Sequence, residues 1–149
     1  MPTVFPDGKS LLRAILFDMR GYLTALVGHS TTLLQSPSSL PSDIGAWLHS
    51  CQPRIARWKT IEAQTRQYCD KNVEMNWEAV IARLGNNLND VPAAHREAQE
   101  LFFPREGGIG ESVSSMIRAL ERLSELHQFI LTEEYKMCWA KYAGQGRIQ

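Results

Sequence analysis

The sequence predicts an all-α protein, a helical bundle with two long antiparallel helices at about residues 9–35 and 111–142 and shorter helices between them. Two observations carry this prediction. Apolar residues recur at alternating spacings of four and three in both long segments, which places one apolar stripe along each helix. No segment shows the alternation of apolar and polar residues that a half-buried strand requires. The stripe of the first helix consists of Leu12, Leu16, Met19, Leu23, Leu26, Ser30 and Leu33.

Composition narrows the class of protein. A chain of 149 residues with 44% apolar residues fits one domain over residues 1–149. Sixteen basic and sixteen acidic residues cancel, so no net field attracts nucleic acid. No apolar run reaches the ~18 residues of a membrane span, and the first ten residues lack a signal-peptide pattern. Three cysteines, an odd number, indicate free thiols in a reducing compartment. We therefore expect a cytoplasmic protein without nucleic-acid or membrane partners.

The first half of the chain contains two predicted helical regions. Turn-forming residues at 6–8 precede the first helix, and the segment 36–43, SPSSLPSD, ends it near Gln35. A short amphipathic piece over 44–51 follows and meets Pro53. Because proline lacks a backbone donor and disfavours helix in the residue before it, we expect a kink or restart there. The helix then continues to about Asp70.

Three further helices are predicted in the second half. The third covers roughly Asn76 to Leu84, with Gly85 as its C-terminal cap. The fourth starts at Asp90 and runs to about Phe103, where a proline and three glycines follow. The last and longest extends over about 111–142 and repeats the three-and-four spacing of the first.

The sequence FDMRGYLTALVGHSTTLL, residues 17–34, resembles the first helix of the dimerisation and phosphoacceptor domain of sensor histidine kinases. That family's motif runs His-Asp/Glu-Leu-Arg-Thr/Asn-Pro-Leu-Thr-Ala-Ile, followed by a glycine and further leucines. The resemblance covers about eighteen residues of the chain. The positions that carry like residues are Asp18, Arg20, Leu23, Thr24, Ala25 and Gly28.

The departures from this motif bear on function. Phe17 stands where the family has its phosphate-accepting histidine, so Asp18 has no imidazole to orient. Gly21 replaces the Thr/Asn that the resemblance associates with dephosphorylation, and Tyr22 replaces the proline. The resemblance therefore implies a non-catalytic interaction or regulatory module that has lost its phosphoacceptor. It also implies a homodimer, and a two-component signalling protein as a further partner.

A second hypothesis is a helical sensor that binds an apolar ligand in a tryptophan-rich pocket. Three of the four tryptophans fall between residues 43 and 84. They could either anchor the short helices to the core or line a ligand pocket, and we favour the role in the core. His29 flanks the apolar stripe and is expected to pack or to form a hydrogen bond. No spacing of His, Cys, Asp or Glu indicates a metal site, a cofactor or a catalytic group. The candidate partner or ligand surface comprises Tyr22, His29, Trp47, Trp58 and Trp77.

Phe17 carries one structural expectation. On the heptad assignment it points away from the stripe formed by Leu16 and Leu23. Because burial of a large aromatic side chain is worth roughly 1.5–3 kcal/mol, we expect residues 43–103 to cover it as a lid.

Overall fold

The computed structural model describes residues 8–35, 42–71, 76–102 and 110–136, and its regular elements in these ranges are all α-helices. The predicted all-α class is therefore confirmed. Within these ranges, no helix is both long and apolar enough to cross a membrane. The helices are α1 (Gly8–Leu34), α2 (Ser42–Lys71), α3 (Trp77–Asn87), α4 (Val91–Phe102) and α5 (Gly110–Leu131).

The two long terminal helices pack side by side in opposite directions, as predicted. His29 of α1 approaches Ser112 at the start of α5, with 3.4 Å between Nδ1 and Oγ. Tyr22, two turns earlier in α1, lies within electrostatic range of Arg122, further along α5. Helix α2 packs against α1, α4 packs against α5, and α3 contacts α1, α2 and α5. Among the described helices, α2, α3 and α5 therefore contact α1.

The apolar stripe of α1 is buried within the single chain. Its residues from Leu12 to Leu26 have exposed fractions between 0% and 2%. Ser30, the polar interruption of the stripe, is also buried, and its hydroxyl donates to the Val27 carbonyl oxygen at 3.1 Å. A buried serine is tolerated here because the backbone satisfies its hydroxyl group. Over residues 12–30 the stripe needs no second chain to cover it, and Leu33 at its end is partly buried.

Helix α2 is continuous through Pro53, so the predicted restart is wrong. A proline inside a helix costs ~3 kcal/mol because it removes a backbone hydrogen bond and crowds the preceding turn. Buried residues on both sides of Pro53 offset this cost by anchoring one face of the helix to the core. They are Trp47, Leu48, Cys51, Ile55 and Trp58.

Helix α3 is longer than predicted. Asn76 caps it, since its side-chain oxygen accepts a hydrogen bond from the Ala79 amide at 3.1 Å. Gly85, predicted as the C-terminal cap, lies inside the helix, and that prediction is wrong. A Cβ atom at Gly85 would lie 2.5 Å from Cγ2 of Ile130 in α5, so the glycine permits close approach of two helices.

The end of the last helix also differs from the prediction. The bounds of α4 agree with the predicted bounds of the fourth helix. Helix α5 ends at Leu131 rather than near residue 142. Residues 137–142 of the predicted helix lie outside the described residues. The amide of Glu134 donates to the Phe129 carbonyl and that of Glu133 to the Ile130 carbonyl, each at 3.1 Å. Glu133 adopts a left-handed φ of 61°. These features form a Schellman cap, which terminates the helix without a glycine.

Candidate functional site

One side of α1 is left open by the bundle, and we call it the outer face. The packing of α2 and α5 on the apolar stripe leaves the opposite side of α1 exposed. Phe17 is 69% exposed on this face, so the predicted lid over Phe17 is wrong. The middle helices instead pack along the sides of α1 and α5. The outer face consists of Arg13, Phe17, Gly21, Thr24 and Gly28, at spacings of four, four, three and four.

Over residues 21–28 the outer face has low relief, whereas Phe17 and the Arg13 side chain protrude beside that strip. A Cβ atom added at Gly21 or at Gly28 would meet no atom within 4 Å. The Thr24 hydroxyl donates to the Arg20 carbonyl oxygen at 2.8 Å, so its hydrogen is already engaged with the helix backbone. One protruding aromatic ring therefore stands beside a shallow strip of small residues. Aromatic side chains in such positions are frequent anchors in protein interfaces.

Ion pairs join the edge of the outer face to α2. Glu62 is only 4% exposed, and its carboxylate accepts hydrogen bonds from Arg66 at 3.0 and 3.4 Å. Arg20 of α1 reaches the same carboxylate at 3.7 Å, and Arg13 approaches Asp70 at 3.9 Å. The buried carboxylate is thus compensated by two guanidinium groups, as a buried charge requires. Arg20, one of the matched motif residues, holds α1 to α2.

Glu62 was missed by the sequence reasoning, although its position carries a signal. It lies four residues after Trp58 and seven before Cys69, both of which are buried on the same side of α2. An acidic residue at an apolar position of a helix stripe indicates a buried ion pair with a basic residue of the neighbouring helix.

The remaining motif residues lie at the α1–α5 edge. Asp18 is exposed, and Tyr22 is half-buried against the core. Burial and then the charge of Asp18 raise the pKa of the Tyr22 phenol, and Arg122 opposes the rise. His29 lies twelve residues beyond Phe17, ~18 Å along the helix axis, and faces α5. The structure therefore does not bring His29 together with Phe17.

The tryptophans of the candidate surface are separated. Trp47 and Trp58 belong to the buried core, and Trp77 is partly buried against it. The indole of Trp58 donates to Asp90 at 2.9 Å, and Arg57 also hydrogen-bonds to Asp90. Burial opposes ionisation of Asp90, but these hydrogen bonds outweigh it and lower the pKa of the carboxyl group. Trp58 therefore joins α2 to the turn before α4.

A groove lies between α2 and α3. Its volume is about 390 Å³. It runs between Tyr68 and Asn76 at one end and Ile61 and Asn87 at the other, and no described tryptophan lines it. The structure thus contains a concave site, but not the tryptophan-lined one that the sequence suggested.

The described nucleophiles and titratable groups show no catalytic arrangement. Cys51 and Cys69 are free and buried, and burial raises the pKa of the Cys51 thiol to about 11. Burial lowers the pKa of His127, against a hydrogen bond with the Gly85 backbone and the charge of Asp90. In the described ranges, His127 Nδ1 has no hydrogen-bond partner, and no group of three His, Cys, Asp or Glu side chains could hold a metal ion.

Comparisons with protein-family models, with curated proteins and with solved structures found no match to this chain.

Proposed function

We propose that this protein is a non-catalytic helical interaction module, and that the outer face of α1 docks a second copy of the chain. The single observation that carries the proposal is the exposure of Phe17, 69% of whose surface remains in water. Burial of such a side chain against a partner is worth roughly 1.5–3 kcal/mol. We place the module in the cytoplasm, where its buried thiols would stay reduced.

The resemblance to the phosphoacceptor domain supports the choice of surface. Phe17 occupies the position of the acceptor histidine, and in that family this position must face outward to meet its partners. Here the same position faces outward but holds a side chain that cannot accept phosphate. An exposed aromatic at this place suits docking without phosphoryl transfer. A receiver-type signalling protein is the other partner that the resemblance implies.

The buried stripe changes how a homodimer would form. Leu16 and Leu23 are 2% exposed within one chain, so they offer no surface to a second copy. A Cβ atom at Gly21 or Gly28 would meet no atom within 4 Å, so Phe17 of one copy can lie over these small residues of the other in a two-fold arrangement. Each copy would then contribute both the protruding ring and the shallow strip.

The dimensions of the outer face set the expected strength. The outer face spans residues 13–28, which is about 24 Å of helix about 10 Å wide, and this gives an area of about 240 Å². Stable interfaces bury about 800 Å² on each partner. We therefore expect a weak, reversible dimer that forms at high protein concentration.

Sedimentation equilibrium over a concentration series tests the proposal. Phe17→Ala removes one anchor from each copy and leaves the core untouched, so at roughly 1.5–3 kcal/mol per ring it should weaken the dimer about a hundredfold or more. Leu131→Ala is the matched control, since Leu131 is 59% exposed on α5 and outside the outer face. A dimer that survives Phe17→Ala unchanged would contradict the proposal. If the wild type is monomeric at every concentration, the homodimer proposal is refuted. Titration with a receiver domain would then test the other proposed partner.

A further inference from the structure

The groove between α2 and α3 is kept open by how the two helices are joined. At one end the chain itself connects them, because α2 ends at Lys71 and α3 begins at Trp77. At the other end Arg57 of α2 donates to the Asn87 carbonyl oxygen at 3.2 Å and also hydrogen-bonds to Asp90. The helices are therefore fixed at both ends, and the gap between them is a built feature of the fold.

The walls and rim of this groove differ in chemistry. Ile61, Val80 and Leu84 supply apolar wall, and Gln64, Asn76 and Arg83 supply polar groups. The side-chain oxygen of Asn76 is engaged by the Ala79 amide, which leaves its NH₂ group as a donor. The volume of about 390 Å³ lies within the range of small-molecule sites.

The charge of the lining residues indicates the sign of the charge that a ligand would carry. Among the described residues that line the groove, Arg83 is the only charged one and none is acidic. Among the described residues, none forms an ion pair with Arg83. An exposed guanidinium at the edge of an apolar groove matches a carboxylate, which it can bind through two parallel hydrogen bonds. A phosphate group carries more charge and would call for more than one cation.

We propose that this groove binds a small amphipathic carboxylate, with its apolar body between Ile61, Val80 and Leu84 and its carboxylate on Arg83. The proposal goes beyond the docking of a second copy, since the groove lies between α2 and α3 and the outer face lies on α1. It is also independent of that proposal, because neither Phe17 nor any other outer-face residue lines the groove.

Decanoate and decanol, which share an alkyl chain and differ in charge, test the proposal by titration followed through amide NMR shifts. We expect saturable shifts of Ile61, Val80 and Leu84 with decanoate, and weaker binding of decanol. Arg83→Gln should weaken decanoate about fivefold and leave decanol unchanged. Arg118→Gln is the matched control, an exposed arginine on α5 without a described partner, and it should change neither ligand.

A second variant tests the location of the site. Ala79 is exposed and lines the groove, so Ala79→Phe should fill it and abolish binding of both ligands. Circular dichroism checks that each variant is folded. If Ala79→Phe is unfolded, the result for Arg83→Gln alone tests the proposal. The proposal is overturned if decanoate gives no saturable shifts at the groove. It is equally overturned if decanol binds the wild type as tightly, or if Arg83→Gln leaves decanoate affinity unchanged.

Discussion

Gly85 provides the sharpest test of the packing between α3 and α5. Replacement of a helix-interior glycine by alanine normally stabilises a helix by up to about 1 kcal/mol, because alanine loses less backbone entropy. At Gly85 the added Cβ would lie 2.5 Å from Ile130 Cγ2, about 1 Å inside the optimal carbon–carbon separation. Overpacking of this kind costs ~1–3 kcal/mol. We therefore expect Gly85→Ala to destabilise the protein by about 1–2 kcal/mol.

Gly28→Ala is the matched control, because Gly28 is helical and a Cβ there would meet nothing within 4 Å. It should stabilise the protein by about 0.5–1 kcal/mol. Urea denaturation followed by circular dichroism measures both, and the two midpoints should move in opposite directions with unchanged slopes. In thermal melts, 1 kcal/mol corresponds to a shift of roughly 2–4 °C for a chain of this size.

A double-mutant cycle separates the clash from other effects at Gly85. Ile130→Ala removes the atom that the new Cβ would meet and by itself costs ~2–5 kcal/mol. In the Ile130→Ala variant, Gly85→Ala should be neutral or stabilising. The coupling free energy between positions 85 and 130 is then at least ~1 kcal/mol. If Gly85→Ala stabilises the wild type as much as Gly28→Ala does, the close helix approach that we describe is wrong.

Three further outcomes are expected. Glu133→Gly should stabilise the protein by about 1 kcal/mol in urea titrations, since glycine adopts the left-handed φ of 61° without strain; a loss of stability would contradict the Schellman cap. Because burial lowers the pKa of His127, the unfolded chain takes up a proton below pH ~6.5 that the folded state excludes, so stability should fall as pH drops through that range. His127→Gln should flatten that part of the pH profile, and an unchanged slope would show that another group is responsible. Incubation with an active histidine kinase or a phosphorylated receiver domain should leave no acid-labile phosphate on the chain, since Phe17 cannot accept it; label that disappears in His29→Gln would identify His29 as an acceptor instead.

The long helices could be predicted because their apolar spacing reflects a simple geometric requirement. A stripe such as Leu12 to Leu26 must be covered, and in the structure it is covered by α2 and α5. The spacing also placed Phe17 correctly on the outward side of α1. The spacing could not show whether another segment covers that side. Helix periodicity gives the direction in which a side chain points, but it does not give the position of neighbouring segments.

The helix ends were less predictable because local signals compete with tertiary contacts. Gly85 has the local character of a cap, but the approach of Ile130 requires a glycine inside the helix. Glu133 has no local character of a cap, yet it adopts the conformation that glycine usually supplies. Pro53 similarly suggests a break, which burial on both sides of it prevents. At Gly85 the deciding contact, with Ile130, lies 45 residues away in the sequence.

The candidate site was predicted only in part. The heptad spacing predicted that Phe17 points away from the stripe, but the expected lid over it is wrong. The groove between α2 and α3 was not foreseen, because it arises from the separation of two helices and its walls carry no distinctive motif. In the sequence alone, Arg83 and Val80 cannot be told apart from ordinary residues of an amphipathic helix. Their role as groove residues becomes visible only with α2 beside α3.

Docking of a second copy on the outer face of α1 is the central claim, and a dilution series followed by amide NMR tests it most directly. We expect concentration-dependent shifts around Phe17, Gly21 and Thr24, with the amides of the buried stripe unchanged. The same shifts should be absent in Phe17→Ala and retained in Leu131→Ala. Spectra that do not change with concentration, or changes centred on another helix such as α4, would contradict the claim.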